Sequence, residues 1–173
     1  MIENNEQQIV KGMSEDRKLA EDYILNYTKH KKDYERKKRE WLERGRPPVD
    51  TNVGGGKGNL PGHPVEDMAI KSADYDIEHL RYLWLRAVEI ALRTFGERKR
   101  IFISCRQEAE RHNIGGRGRH GWVVYTQRRY AEEIEKRFIT ADGWLGDRRI
   151  RDMWRQILDV VVEVHLRLQA KIF

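Results

Sequence analysis

Four arginines and two aspartates open the last apolar-periodic stretch of the chain: Asp147, Arg148, Arg149, Arg151, Asp152 and Arg155, set around Ile150 and Met153. A guanidinium can give two parallel hydrogen bonds to guanine O6 and N7, or to a phosphate. A carboxylate at a helix start suits the helix dipole and can accept from cytosine N4. At helical spacing, Ile150 and Met153 turn inward and the guanidiniums outward. The chemistry expected is base-edge readout by Arg148, Arg149, Arg151, Asp152 and Asp147, with Arg155 on phosphate. Further phosphate contacts are expected from Arg128 and Arg129, and from Arg117 and Arg119 in the glycine-rich stretch 114–121 with its main-chain N–H groups. The same spacing also suits a solvated amphipathic helix in a bundle, and the same glycines suit a surface loop.

Other chemistries find little support. The lone Cys105 excludes an intramolecular disulfide and a cysteine-based zinc finger. The six histidines are scattered, at 30, 63, 79, 112, 120 and 165, and no HExxH motif occurs. GGGKGN at 54–59 lacks the spacing of a phosphate-binding loop and reads as linker. Glu132, Glu133 and Glu135 read as a solvated helix face. No nucleophile, base and orienting group fall into a pattern. The chain is therefore read as non-enzymatic, with no metal and no cofactor. Trp122, Trp144 and Trp154 surround the arginine-rich start; core packing is favoured for them over base stacking. His165, on an apolar face, reads as a packed histidine.

Positioning these residues falls to helices. All four prolines lie between residues 47 and 64, with five of the fourteen glycines between 54 and 62. That segment is read as a Gly/Pro linker, 47–64, between a basic N-terminal helix in 1–46 and a helical body in 65–173. The N-terminal helix is expected over 14–45, capped by Ser14 and stopped by Gly45. Its apolar stripe, Tyr27, Tyr34 and Trp41, recurs every seven residues and should dock on the body or on a second copy. A long helix is expected over 66–95, with a split near Asp74 and Asp76 as the alternative. A third is expected over 98–112 and another over 127–138. WVVY, 122–125, is either a short strand or a lead-in. After the turn ITADGWLG, 139–146, the last helix runs from Asp147 almost to the end. The fold expected is all-α, with a C-terminal helix-turn-helix at about 127–160.

Charge agrees with an anionic partner. The 173 residues carry a net +6, with 36 % charged side chains and a mean hydropathy of −0.83. Residues 29–46 hold nine Lys/Arg against four Asp/Glu, and residues 97–156 hold fifteen against nine. Positive charge in two blocks gives salt-sensitive attraction to nucleic acid, although a charge run is also often only a solvated face. No apolar run reaches the ~20 residues of a membrane span, and the N-terminus lacks an apolar core of signal-peptide length. A cytoplasmic protein is expected. The apolar tail 160–173 and the Tyr/Trp stripe suggest a homo-oligomer.

Asp50-Thr51-Asn52-Val53-Gly54-Gly55, the following Pro64-Val65-Glu66-Asp67-Met68-Ala69 and the upstream Tyr27…Lys31 pattern resemble the phage late-operon transcriptional activators of the RinA/ArpU type. Leu145-Gly146-Asp147-Arg148-Arg149-Ile150-Arg151 looks like the start of that family's recognition helix, which is similar to that of sigma-factor region 4. The resemblance covers most of residues 23–95 and about 130–160. The chain departs from it in the Gly-Arg loop, the long ITADGWLG turn and the apolar tail. The resemblance implies sequence-specific binding to double-stranded promoter DNA of packaging and structural genes, contact with host RNA polymerase, and a place in the bacterial host's cytoplasm. Two other readings fit the charge and helices: a phage small terminase subunit that recognises packaging DNA as a ring, and a helical interaction protein that binds no DNA.

Overall fold

The computed structural model describes residues 2–44, 64–79, 81–112, 121–138 and 143–171. Seven helices and no strand occur among the described residues: α1 (Ile2–Leu25), α2 (Tyr27–Glu43), α3 (Pro64–Glu78), α4 (Arg81–Thr94), α5 (Glu97–Arg111), α6 (Gly121–Arg137) and α7 (Asp147–Gln169). The all-α class follows from the three- and four-residue recurrence of apolar side chains along the chain. DTNVGG, GGGKGN, Ile172, Phe173 and all of the expected linker except Pro64 lie outside the described residues.

Several expected boundaries move. The N-terminal helix starts at Ile2, so Ser14 lies inside α1 rather than at its cap. Ser is only mildly unfavourable within a helix, and capping is a preference rather than a stop. The helix also breaks at Asn26, where the backbone turns to φ −106°, ψ 23°. The break is one residue wide. The Asn26 N–H still bonds the Asp22 carbonyl at 2.9 Å, and the Asn26 carbonyl accepts from the His30 N–H at 3.0 Å. The Asn26 side-chain amide donates to the Asp22 carboxylate at 2.8 Å, an alternative bond of the kind that favours Asn at helix ends.

The stretch expected as one long helix over 66–95 is two, α3 and α4. Pro64 takes the first position of α3, where its missing N–H is no loss. WVVY is helical and belongs to α6.

The core is built from α1, α4, α5, α6 and α7. Ala87, Val88 and Ala91 on α4 are fully buried, as are Phe102 on α5, Val123 on α6 and Ile150 and Ile157 on α7. Small residues on α4 let it approach α7, its most extensive neighbour, and α5 pairs as extensively with α6. The valines of α7 lower intrinsic helix propensity, yet Val161 and Val162 are buried, and that packing holds the helix.

α2 contributes no buried residue and α3, among its described side chains, only Tyr75. These two helices form a wing packed on each other, with α2 also against α4 and α1. The Tyr27/Tyr34/Trp41 stripe faces this wing interior: Tyr34 and Trp41 pack on Tyr75, with ring centroids 5.7 and 5.5 Å apart. It docks on the chain's own body. Val161, Val162 and His165 of the tail are likewise buried within the chain. Leu166 of the same tail is 50 % exposed, so the tail is buried only in part.

A candidate nucleic-acid interface

α7 leaves Gly146, which is extended at φ −65°, ψ 156°, and no side chain caps the helix start. Asp147 therefore lies beside the uncapped positive end of the dipole. Beneath this first turn Ile150 and Trp154 are buried, at 0 and 5 % exposure. Trp154 is further fixed by its indole N–H, which donates to Glu21 Oε1 of α1 at 3.0 Å. The opening of α7 is thus seated on the core by two apolar anchors and one long-range hydrogen bond.

The loop before it is also fixed. A Cβ on Gly143 would lie 2.8 Å from the Ala131 Cα and 2.9 Å from its carbonyl oxygen, so only glycine lets the loop press on α6. The Gln127 amide donates to the Leu145 carbonyl. α6, residues 143–146 and α7 therefore form one braced unit.

The outward side chains divide by role. Arg148 is 97 % exposed, Arg155 is 63 % exposed, and both face Asp152 at 3.8 and 3.7 Å. Such long, exposed ion pairs are weak and exchange readily for another anion. Arg149 is exposed, whereas Arg151 is half-buried on the flank of the helix. Asp152 is held between two guanidiniums, which makes it a spacer for Arg148 and Arg155. Arg128 on α6 is exposed.

Arg129 departs from expectation. Its guanidinium lies 3.4 Å from Glu108, 2.5 Å from Glu132 and 3.8 Å from Glu133. Glu108 also accepts from the Tyr125 hydroxyl at 2.8 Å, and its carboxyl is held below the usual range. Three carboxylates surround Arg129, and Glu108 among them ties α6 to α5. The sequence places Glu132 and Glu133 three and four residues away, but Glu108 comes from another helix. Arg117 and Arg119 lie outside the described residues.

The tryptophans separate as well. Trp154 is buried and Trp122 partly so, but Trp144 is 61 % exposed just before α7. Its glycine neighbours, Gly143 and Gly146, were the available signal for a loop position. Arg106, which sequence reasoning passed over, is 6 % exposed at its side chain. It bonds Glu21 at 3.3 Å and Glu110 at 3.0 Å, and lies over the rings of Trp122 and Trp154 at 4.7 and 5.6 Å. It ties α1, α5, α6 and α7 together beneath the candidate interface. No group of three or more His, Cys, Asp or Glu side chains able to hold a metal ion occurs among the described residues. No helix among them is long and apolar enough to cross a membrane.

What the fold defines is a helical bundle whose central helix exposes a guanidinium-bearing first turn. Comparison with known proteins returns no match to a family model, a curated protein or a solved structure.

Proposed function

We propose that this chain is a sequence-specific DNA-binding transcription regulator, of the kind that activates phage late genes. α6 and α7 act as the helix-turn-helix, and the opening of α7 enters the major groove. One observation carries the reading: Arg148, Arg149 and Arg155 project to solvent from a helix start that Ile150 and Trp154 anchor in the core. A helix that merely solubilises a bundle needs no such bracing of its first turn. Arg148 and Arg149 read base edges, with Asp147 and Arg151 at the sides of the same turn. Arg155 and Arg128 hold phosphates. Asp152 spaces the arginines until DNA replaces it as their anion. In this reading the protein works in the cytoplasm of the bacterial host and touches host RNA polymerase, as the family resemblance implies.

The test is a footprint on DNA flanking the gene's own late region, followed by duplex titration at two salt concentrations. Arg148→Ala and Arg149→Ala should each weaken cognate binding by about 1–3 kcal/mol and relax sequence preference. Arg155→Ala should weaken cognate and random DNA alike and lower the salt slope by about one unit. Parent-like binding by the Arg148→Ala/Arg149→Ala variant would remove α7 as the reading helix. Absence of duplex binding at low salt would remove the function.

A further inference from the structure

A cavity of about 280 Å³ lies between the wing and the body, beside the two helix breaks. Tyr23 of α1, His30 and Tyr34 of α2, and Tyr75 of α3 line it, together with His79 just beyond α3. The chain breaks at Asn26 in one wall and after Glu78 in the other. At each break the helix axis is interrupted, and the buried Leu85 of α4 completes the lining.

The rings are fixed before anything enters. Tyr23 stacks on His30 with centroids 4.3 Å apart and continues onto Trp84 at 6.0 Å. Tyr75 stacks on His79 at 3.9 Å, and Trp41 braces Tyr75. The Tyr34 hydroxyl donates to Asp76, which Lys38 also grips at 2.6 Å. Pre-set rings lose little conformational freedom when a ligand arrives.

The remaining lining is polar on one side. Asp33 and Lys37, 2.9 Å apart, add a carboxylate and an ammonium. Together they offer an acceptor and a donor with no net charge. A quaternary ammonium suits this site poorly, because Lys37 and Arg36 already balance the Asp33 charge, while lone pairs on its oxygens stay open to a hydrogen-bond donor. An aliphatic ligand would leave the polar pair unused. A flat heteroaromatic ring uses both features. It packs against the tyrosine and histidine rings, and its amine and ring nitrogens meet Asp33 and Lys37. The volume, just below the ~300 Å³ at which drug-sized pockets begin, suits one base with its sugar.

We propose that this cavity binds a single purine-sized nucleobase, packed against the rings of Tyr23, Tyr34 and Tyr75 and bonded at its edge by Asp33 and Lys37. The ring chemistry is shared by a free mononucleotide and by an unstacked base of a nucleic-acid strand. The site is independent of the α7 interface.

Trp41 and Trp84 flank the lining rings, so tryptophan fluorescence of the full chain reports occupancy. The titrants are AMP, GMP, CMP and UMP, and separately a short single-stranded oligo(dA). Saturable quenching with AMP and GMP binding more tightly than CMP and UMP supports a free nucleotide. Saturation by oligo(dA) alone supports a base presented by a strand. Tyr75→Leu should weaken binding at least tenfold. Since Tyr75 is buried, Lys37→Gln at the half-exposed rim serves as the second variant and should weaken binding several-fold with an unchanged melting curve. Both variants should keep parent-like duplex affinity, and Arg148→Ala should keep parent-like nucleotide affinity. No saturation by any titrant at millimolar concentration, or Lys37→Gln and Tyr75→Leu both binding like the parent, overturns the proposal.

Discussion

Arg106 shows how one side chain can secure an interface it does not enter. Its guanidinium is buried between two tryptophan rings and bonded to Glu21 and Glu110. Glu21 also accepts from the Trp154 indole. Truncation would leave Glu21 with one partner and open a gap beside both rings. Arg106→Ala should therefore destabilise the protein by about 2–4 kcal/mol, read as a lower denaturation midpoint with a blue- or red-shifted tryptophan spectrum. A midpoint within error of the parent would show the node to be decorative. Cys105, its sequence neighbour, is also buried, and desolvation pushes its thiol up to about 11. A thiol so hard to ionise is a poor nucleophile. Ellman's reagent at pH 8 should label the native protein only at the rate of unfolding, and denaturant should restore fast labelling.

Among the elements, the approach to α7 has no room for a side chain at Gly143. Gly143 presses its backbone on Ala131 of α6, and Ile134 Cβ would stand 3.0 Å from an added Cβ. The obstructing atoms are backbone and a branched side chain, so they yield little. Gly143→Ala should lower stability by about 1–3 kcal/mol. In the proposed function it should also weaken DNA binding, because it shifts the start of α7 against α6. The comparison that isolates this effect is Gly96→Ala, where an added Cβ meets nothing within 4 Å. That variant should stay near the parent in both stability and duplex affinity. α7 itself combines an underside of six buried apolar residues and His165 with an exposed first turn, so substitutions on its two faces should separate cleanly. Ile157→Ala should destabilise by about 2–5 kcal/mol, whereas Arg148→Ala should leave the melting temperature unchanged.

Across the whole molecule, stability should depend on pH through His165. This residue is buried, its ring stacks on Trp84 at 3.7 Å, and its Nδ1 has no hydrogen-bond partner among the described residues. Burial lowers its pKa below the ordinary 6.5, against smaller opposing effects of Asp16 and the Leu83 backbone. The unfolded chain then binds a proton more readily than the folded one. The contribution of His165 is complete above about pH 6.5–7 and is lost as pH falls below 6.5. Unfolding free energy measured between pH 7.5 and 5 should decline, and His165→Phe should flatten that decline; an equally steep curve in the variant would exclude His165 as its source. The sequence by itself determined the all-α class, because helical periodicity is local and each apolar stripe is written within a few turns. It also determined the split of α7 into an anchored and an outward face, with Asp147 at its first position. Only the tertiary structure decided which charges stay available. Arg128 and Arg129 are neighbours, yet Arg128 is exposed and Arg129 is tied to α5, because Glu108, 21 residues away on another helix, adds to the local Glu132 and Glu133. Trp154 is buried and Trp144 exposed for the same reason: the partner of Trp154 on α1 is 133 residues distant in sequence. The aromatic cavity, too, exists only because three separated helices bring their rings to one place. Burial and ion pairing are set by groups remote along the chain, and no local pattern carries that information.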